Sequence, residues 1–403
     1  MGITRRQVLA GGIAAVGTAA VVRNPFASLL DHSTPATSST DHPVLVLVTL
    51  YGGNDGLNTV IPAAAGAYLS GRGDLAVPAD QVLTIGDGLG LHPNLKAMKR
   101  LWDAGQVAIV RGVGHPNPNR SHFRSMDIWQ SGVPERAVAT GWLGRWLDRT
   151  GTDPLRAIAI GPTVPLALRG EKVAASAVPV GSVALPVSAP VADAYRAMMG
   201  VGSSGLAGSV ARTGTDLLTV ERALGRIVDG AGASEDEGSA TNLEGRAQGA
   251  LGPQLDLVAR AIAAGLPTRV YAVSLGGFDT HANEKDAHAQ LLADLDGAVD
   301  AFTKAVGGRP VTVLVHSEFG RRVAVNGSGG TDHGAAAPVF VIGPRVRGGF
   351  HGDEPSLTDL DDGDLKHTTD YRSIYASVLG NVVGVDPSVA LAKAPTALPL
   401  FRS

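Results

Sequence analysis

Short, continuous apolar runs recur along the chain and alternate with amphipathic segments. The first run, Val-Leu-Val-Leu-Val-Thr-Leu at 44–50, stops at Gly52-Gly53. A strand that is apolar at successive positions is buried on both faces, as the strands of parallel sheets are. Further runs of this kind occupy 107–113, 157–160, 269–275, 311–315 and 339–342.

The segments between these runs have helical patterns. They lie at 94–105, 121–130, 142–149, 206–228, 254–264, 284–306 and 371–383. Strands that alternate with helices predict an open, doubly wound α/β fold with a mostly parallel sheet. We place this α/β domain at 43–390, with residues 164–248 as a helical insertion or cap. Within the insertion, the Gly-, Ser- and acid-rich stretch 230–248 is predicted to be a surface loop.

The N-terminal segment has the pattern of an export signal. Arg5-Arg6 precede an apolar run at 8–22 that contains no charge and is short for a membrane span. A twin-arginine signal at 1–27 predicts the twin-arginine translocation machinery as a partner and a periplasmic, cell-envelope or extracellular location. A polar linker follows at 28–42. No stable membrane span is expected unless the signal stays uncleaved as an anchor.

Composition narrows the possible chemistry. The 403 residues include no cysteine, which excludes disulfides, thiolate metal sites and a cysteine nucleophile. The net charge is −3, and it becomes −6 without residues 1–23, which carry three arginines and no acid. No net positive field is present to bind a phosphate backbone, so we expect no nucleic-acid partner.

Acidic and imidazole side chains follow the apolar runs. Asp55 follows the first run, Asp279 and His281 follow the run at 269–275, and Asp332-His333 precede the last run. Ligands of open α/β sheets bind beyond the carboxyl ends of the strands. Asp55 considered alone is typical of a turn. The recurrence of His close to Asp after other strands indicates a ligand-binding site instead. Carboxylates combined with imidazoles favour a divalent transition metal, zinc or manganese, over magnesium or calcium.

The joint motif set resembles a known family. The motifs are the twin-arginine signal, Gly-Gly-Asn-Asp-Gly-Leu-Asn, Arg-Ser-His-Phe, Gly-Gly-Phe-Asp-Thr-His, Ser-Glu-Phe-Gly-Arg and Gly-Gly-Thr-Asp-His-Gly. Together they resemble the exported bacterial family called domain of unknown function 1501, which is related to phosphatases and sulfatases of the alkaline phosphatase superfamily. The resemblance covers residues 44–383. It implies an alkaline phosphatase-like fold and a site that holds two metal ions.

The superfamily pattern also implies ligands. Asp55 matches the ligand after the first strand, and Asp332 and His333 match the pair that shares its ion. Asp279 and His281 resemble ligands of the second ion, although they are closer in sequence than the superfamily pattern has them. His367 is the choice for the final histidine of the pattern, with His351 as the alternative.

The catalytic candidates lie together after the second strand. Ser121 is placed where a nucleophile would open a helix, although the same position suits a simple helix cap. Arg120 would bind an anionic substrate, and His122 is either a site residue or a packed helix residue. Pro116 stands where sulfatases carry the residue converted to formylglycine, so that cofactor is excluded here.

Two further predictions concern charged residues near the site. Glu318 is interpreted either as a ligand or as a carboxylate that orients a histidine. Arg321-Arg322 are interpreted as part of a solvated face.

The motifs and their spacing support two functions. The first is an exported, metal-dependent hydrolase or transferase that acts on small anionic phosphate or sulfate esters, including glycan-linked ones. The second is a catalytically silent metal-binding or assembly protein on the same fold.

Overall fold

A computed structural model of the chain describes residues 42–180, 189–199, 205–229, 250–393 and 395–402. The predicted signal at 1–27, all but the last residue of the linker, and the predicted surface loop at 230–248 lie outside these residues. Among the helices that the structure describes, none combines the length and the apolar character needed to cross a membrane.

The strands are numbered in chain order. They are β1 (Val44–Leu50), β2 (Val60–Ile61), β3 (Leu83–Gly86), β4 (Leu89–Leu91), β5 (Val107–Gly114), β6 (Ala157–Ile160), β7 (Ser176–Val178), β8 (Val270–Leu275), β9 (Val311–Ser317), β10 (Arg321–Val325), β11 (Thr331–His333), β12 (Ala337–Ile342), β13 (Gly349–His351), β14 (Leu360–Asp361), β15 (Asp364–Leu365) and β16 (Thr369–Asp370).

The α-helices are numbered in the same way. They are α1 (Gly66–Arg72), α2 (Lys96–Asp103), α3 (His122–Ser131), α4 (Trp142–Thr150), α5 (Ala189–Met199), α6 (Gly205–Asp229), α7 (Leu251–Ala263), α8 (Glu284–Val306) and α9 (Tyr371–Val378). A π-helical turn, Leu379–Val383, continues α9.

The central sheet has the strand order β13-β5-β12-β9-β1-β8-β6-β7, with β16 also paired to β5. Strand β12 is antiparallel to both of its neighbours, β5 and β9, and the other pairs are parallel. The prediction of a doubly wound, mostly parallel α/β sheet is therefore confirmed. Part of the predicted insertion belongs to this sheet, because β7 pairs with β6 at its edge.

Helices cover both faces of the sheet, and β1 shows why its sequence has no polar alternation. Val44, Val46 and Val48 pack into one core cluster, with residues of α2, α7 and α8. Leu45 and Leu47 pack into the other, with residues of α3, α4 and α9. Successive side chains of a strand point to opposite faces, so a strand between two helical layers must be apolar throughout.

The antiparallel direction of β12 decides where the last sequence motif lies. Loops that follow parallel strands lie at one edge of the sheet, and a loop that precedes a parallel strand lies at the other edge. Because β12 runs the opposite way, the loop 329–336 that precedes it reaches the carboxyl edge. Asp332 and His333 therefore lie at the same edge as the loops after β1, β5, β8 and β9.

Candidate metal centre

The loops at the carboxyl edge pack closely enough to bring side chains from distant segments together. Gly52 adopts a φ of +118°, and a Cβ atom there would lie 2.3 Å from the backbone nitrogen of Asp279. A Cβ atom at Gly330 would likewise lie 2.3 Å from the backbone carbonyl carbon of His281. These glycines let the loop after β8 lie between the loop after β1 and the loop before β12.

The carboxylate of Asp279 is the centre of this convergence. Its Oδ1 atom lies 3.0 Å from His333 Nε2, 3.1 Å from His281 Nε2 and 3.4 Å from His122 Nε2. His281 Nε2 and His333 Nε2 are 2.8 Å apart. One ligand atom each from His122, Asp279 and His333 lies within 4.8 Å of the others, the spacing of side chains that can share a metal ion.

Each of the three imidazole rings is held at its other nitrogen. The Nδ1 acceptors are Glu318 Oε1 for His122 at 2.8 Å, Asp332 Oδ1 for His281 at 3.1 Å and the Arg120 carbonyl for His333 at 2.8 Å. Carboxylates and carbonyls only accept hydrogen bonds, so Nδ1 donates in every ring. The Nε2 atom of each neutral ring therefore presents a lone pair toward Asp279.

Lone pairs and a carboxylate oxygen that face one another repel unless a cation lies among them. The arrangement therefore fits a transition-metal ion, for which neutral imidazole and carboxylate are preferred ligands. Ligand atoms around a tetrahedral zinc ion, each about 2.0–2.1 Å from it, lie somewhat more than about 3 Å apart. The observed separations, 2.8–3.4 Å, are close to that value.

The group is anchored in the interior and open to solvent on one side. Glu318 is fully buried, and its Oε1 atom also accepts a hydrogen bond from the backbone nitrogen of Gly52 at 2.9 Å. The side chain of Asp279 is 49% exposed, which leaves the centre accessible. The buried carboxylate of Glu318 orients His122, and the side of the group at Asp279 is open to solvent. Metal centres that bind a substrate combine these two features.

The electrostatics of the group favour charged forms. Burial favours the neutral acid of Asp279, but its contacts with His122, His333 and Arg321 outweigh burial and hold its pKa well below its usual range. Burial also opposes protonation of His122, yet the neighbouring carboxylates of Asp279 and Glu318 raise its pKa to about 9, so that without a metal ion a proton takes the place of the Nε2 lone pair. The two carboxylates thus concentrate negative charge that attracts a cation, whether a proton or a metal ion.

Arg321 holds the surrounding backbone together. It is fully buried, and its guanidinium group donates to the carbonyls of Gly52, Gly53, Phe278 and Thr331 and, at 2.8 Å, to Asp279 Oδ1. It therefore ties the loops after β1 and β8 to the loop before β12. The sequence prediction that Arg321 lies on a solvated face is wrong. Its position four residues after the end of a buried strand, Val311–Ser317, was the available signal, since carboxyl ends of strands carry site residues.

The structure places Asp55 in a different, wholly buried cluster. Both of its carboxylate oxygens accept hydrogen bonds from Arg72 at 2.6 Å, and both side chains are 0% exposed. Burial opposes ionisation, but the charge of Arg72 dominates and lowers the pKa of Asp55. Among the described residues Asp55 is not part of the group around Asp279, and the sharing of an ion with Asp332 and His333 stays a prediction. A guanidinium group faces the carboxylate, and no pattern in α1 pointed to Arg72.

Glu284 adds a second carboxyl to the Asp55 cluster. Its Oε2 atom accepts a hydrogen bond from Thr331 Oγ1 at 2.7 Å, two residues before His333. Burial and the charge of Asp55 raise the pKa of Glu284. A proton on Glu284 lets the two acidic side chains share a hydrogen bond, which links this cluster to the loop that carries His333.

The remaining predicted ligands occupy other positions. Asp332 faces His281 and also accepts from Asn326 Nδ2 at 3.1 Å, so it supports a histidine at the centre. His367 lies against Gly114 at the end of β5: a Cβ atom added at Gly114 would lie 2.8 Å from the Cβ atom of His367. His351 contacts the Arg347 carbonyl at 2.9 Å. Among the described residues, the group around Asp279 contains neither His367 nor His351.

The catalytic candidates flank the centre. Ser121 is the exposed residue before α3, and its side chain makes no capping hydrogen bond. Its two chain neighbours both contact the group, Arg120 through its carbonyl and His122 through its ring. Ser121 therefore lies in the chain between two residues that contact the centre. The guanidinium group of Arg120 is paired with two carboxylates, those of Asp362 and Asp364.

Comparison with known proteins gives one family. A family model described as "Protein of unknown function (DUF1501)" matches residues 107–388. This range includes the histidines, Asp279 and Glu318 of the centre. No curated protein matches the chain.

Several solved structures are similar in fold. One is the C-terminal periplasmic domain of EcEptC from Escherichia coli in complex with Zn, at 8% identity and a TM-score of 0.41, with 91% of this chain and 89% of that chain covered. Another is a protein in the alkaline phosphatase superfamily from Vibrio parahaemolyticus, at 10% identity and a TM-score of 0.40, with 89% and 71% covered. A third is a phosphonate monoester hydrolase from Silicibacter pomeroyi, at 10% identity and a TM-score of 0.34, with 87% and 77% covered.

Proposed function

The chain belongs to the DUF1501 family, and we propose that it is a metal-dependent hydrolase or transferase of phosphate or sulfate esters. In this proposal a divalent transition-metal ion, zinc or manganese, is bound by His122, Asp279 and His333, with His281 as a further donor. The observation that carries it is the convergence of three imidazole Nε2 atoms on Asp279 Oδ1 while every Nδ1 is held by an acceptor.

The supporting residues have separate roles in this proposal. Glu318, Asp332 and the Arg120 carbonyl fix the tautomer and orientation of the three rings. Arg321 orients the Asp279 carboxylate. When bound, the ion supplies Lewis-acid stabilisation for the charge that develops on the transferred phosphoryl or sulfuryl group.

Ser121 is the proposed nucleophile. Its hydroxyl stands at the N-terminus of a ten-residue helix, α3, where backbone N–H groups and the helix dipole favour a developing oxyanion. Because no capping hydrogen bond holds its side chain, the oxygen is available to attack the phosphorus or sulfur atom. His122, whose second nitrogen is fixed by Glu318, lies directly after it in the chain.

Export by the twin-arginine machinery belongs to the same proposal. It rests on Arg5-Arg6 and on the uncharged apolar run at 8–22. Twin-arginine export carries folded proteins, so the metal would be loaded before translocation. Replacing both arginines with lysine should leave the folded protein in the cytoplasm, as cell fractionation would measure, and normal export of that variant would refute the signal.

The alternative function is a catalytically silent metal-binding or assembly protein. The observation that favours it is the pairing of Arg120 with Asp362 and Asp364, because an anion-binding guanidinium group is then already neutralised. On this alternative no ester is cleaved, whether the protein binds an ion or serves only in assembly.

The deciding experiment measures metal content and ester turnover on the same samples. Purified wild-type protein, His333→Ala and His351→Ala are analysed by elemental mass spectrometry and then assayed with aryl phosphate and aryl sulfate esters. We expect metal and turnover in the wild type and in His351→Ala, and loss of both in His333→Ala. Metal without turnover would favour the silent alternative, and absence of metal from the wild type would refute the hydrolase or transferase and leave the assembly protein.

A further inference from the structure

Two arginines, one of which directly precedes Ser121 in the chain, contact a single carboxylate oxygen. Arg120 and Arg322 direct their Nη2 atoms at Asp362 Oδ2, at 3.0 and 3.4 Å. Arg120 lies in the loop before α3, and Arg322 is the second residue of β10. Two guanidinium groups that converge on one exposed oxygen present the donor geometry that recognises an oxyanion.

A second, buried carboxylate holds the two arginines in place from the inner side. Asp364 is 5% exposed, and its Oδ2 atom accepts from Arg120 Nε at 2.9 Å. Its Oδ1 atom lies 3.3 Å from Arg322 Nε as an ion pair. Asp364 thus contacts the Nε atoms of both side chains and also Arg120 Nη2, at 2.9 Å, while both Nη2 atoms contact Asp362 on the outer side.

The position of Asp362 allows its carboxylate to be displaced by another anion. Its side chain is 79% exposed, and it lies with Gly363 in the two-residue turn between β14 and β15, with φ values of +49° and +85°. This is the backbone of a tight hairpin turn that accepts Asp or Asn followed by Gly. A backbone contact from Arg120 Nη2 to the Asp362 carbonyl, at 3.3 Å, remains whatever the side chain does. The carboxylate can therefore be displaced without loss of the hairpin.

We propose that Arg120 and Arg322 form a binding site for a tetrahedral oxyanion, phosphate or sulfate, and that Asp362 occupies this site as an internal competitor. The site rests on the proposed function, since Arg120 directly precedes Ser121, the proposed nucleophile, and the site would hold the anionic group of the ester. The substrate displaces an exposed, solvent-screened carboxylate, so the competition is weak enough to be reversed.

The test measures binding of inorganic phosphate by titration calorimetry to the full chain dialysed against a chelator. Removal of metal makes the result independent of the metal centre, so failure of the proposed function does not obscure it. Asp362→Asn removes the competing charge and keeps a residue that suits the turn. We expect it to bind phosphate about fivefold more tightly than the wild type, the equivalent of one exposed ion pair.

The matched control is Asp359→Asn, which makes the same charge change nearby. Asp359 is 73% exposed but pairs with Lys366 instead of the arginines, so we expect no gain in phosphate affinity. In the double variant Asp362→Asn with Arg322→Gln, the gain should disappear because one of the two donors is missing. The proposal would be overturned by equal gains in phosphate affinity in the two single variants, or by no gain in Asp362→Asn. It would also be overturned if the gain persisted when Arg322→Gln was added.

Discussion

Arg321 reaches Asp279 from beneath the loops of the candidate metal centre, with Nη2 2.8 Å from Oδ1. The guanidinium group is fully buried, while the carboxylate is half exposed. The same side chain donates to backbone carbonyls of three loops. The position of the central carboxylate and the packing of the loops around it therefore depend on one residue.

Replacing Arg321 with lysine should damage stability and metal binding together. Lysine keeps the charge but cannot donate to five acceptors, so buried carbonyls lose partners at about 1–3 kcal/mol each. We expect a loss of roughly 3 kcal/mol in the free energy of unfolding, measured in urea. Arg149→Lys, at an exposed position, is the control, and it should change stability by less than about 0.5 kcal/mol. Equal stability of the two variants would contradict the role of Arg321.

Asp332 and Asp279 should differ in their effect on metal affinity. If Asp332 only holds His281, Asp332→Asn should weaken zinc binding by about 10–100-fold, whereas Asp279→Asn removes a direct ligand and should abolish stoichiometric binding. Titration calorimetry with zinc separates the two results. Complete loss of binding in Asp332→Asn would show that it is a ligand, as the sequence pattern suggested.

The Asp55–Arg72 pair should affect folding rather than metal binding. Asp55→Asn leaves a buried, uncompensated guanidinium group and should cost about 3–5 kcal/mol in the free energy of unfolding. The double variant Asp55→Leu with Arg72→Met should recover much of that loss, because both charges are removed. Metal content measured on the surviving folded protein should stay at the wild-type level. A stable Asp55→Asn variant without metal would restore Asp55 as a ligand.

Ser121 can be tested with little disturbance of the fold. Because its side chain makes no capping hydrogen bond, Ser121→Ala and Ser121→Gly should each change the free energy of unfolding by no more than about 0.5 kcal/mol. Both should lose ester turnover while they keep bound metal. Active variants would move the nucleophilic role from Ser121 to a water molecule.

Two buried histidines should make the protein sensitive to acid. Burial lowers the pKa of His288 and of His316 to about 4 each. An unfolded histidine has a pKa near about 6.5, so the unfolded state binds protons first as the pH falls. Stability from these groups is complete above a pH of about 6.5 and falls between about 6.5 and about 4, by up to about 3 kcal/mol per group.

Urea unfolding at pH 7.0 and pH 4.5 checks this slope. His288→Gln has no imidazole to titrate, so its stability should depend less on pH than that of the wild type. A wild-type protein that is equally stable at both values would show that neither histidine stays neutral in the folded state.

Much of the fold and the main candidates of the site follow from the sequence. A strand between two helical layers must be apolar at every position, so the apolar runs at 44–50 and 107–113 predict the buried strands β1 and β5. Ligands in such folds gather where strands end, so Asp279, His281 and His333 could be named from their positions alone. Glu318 could be named as well, but only with its two possible roles left open.

The tertiary structure decided which of these residues meet. An apolar run has no direction, so the sequence could not show that β12 is antiparallel, which brings Asp332 and His333 to the same edge as Asp279. The sequence also could not show that Asp55 pairs with Arg72 or that Arg321 is buried. A charged side chain is solvated or buried according to the groups that surround it, and those groups come from segments more than two hundred residues away in the case of Arg321 and Gly52. The sequence alone therefore identifies the candidate side chains, while the packing of the folded chain determines which groups each side chain contacts.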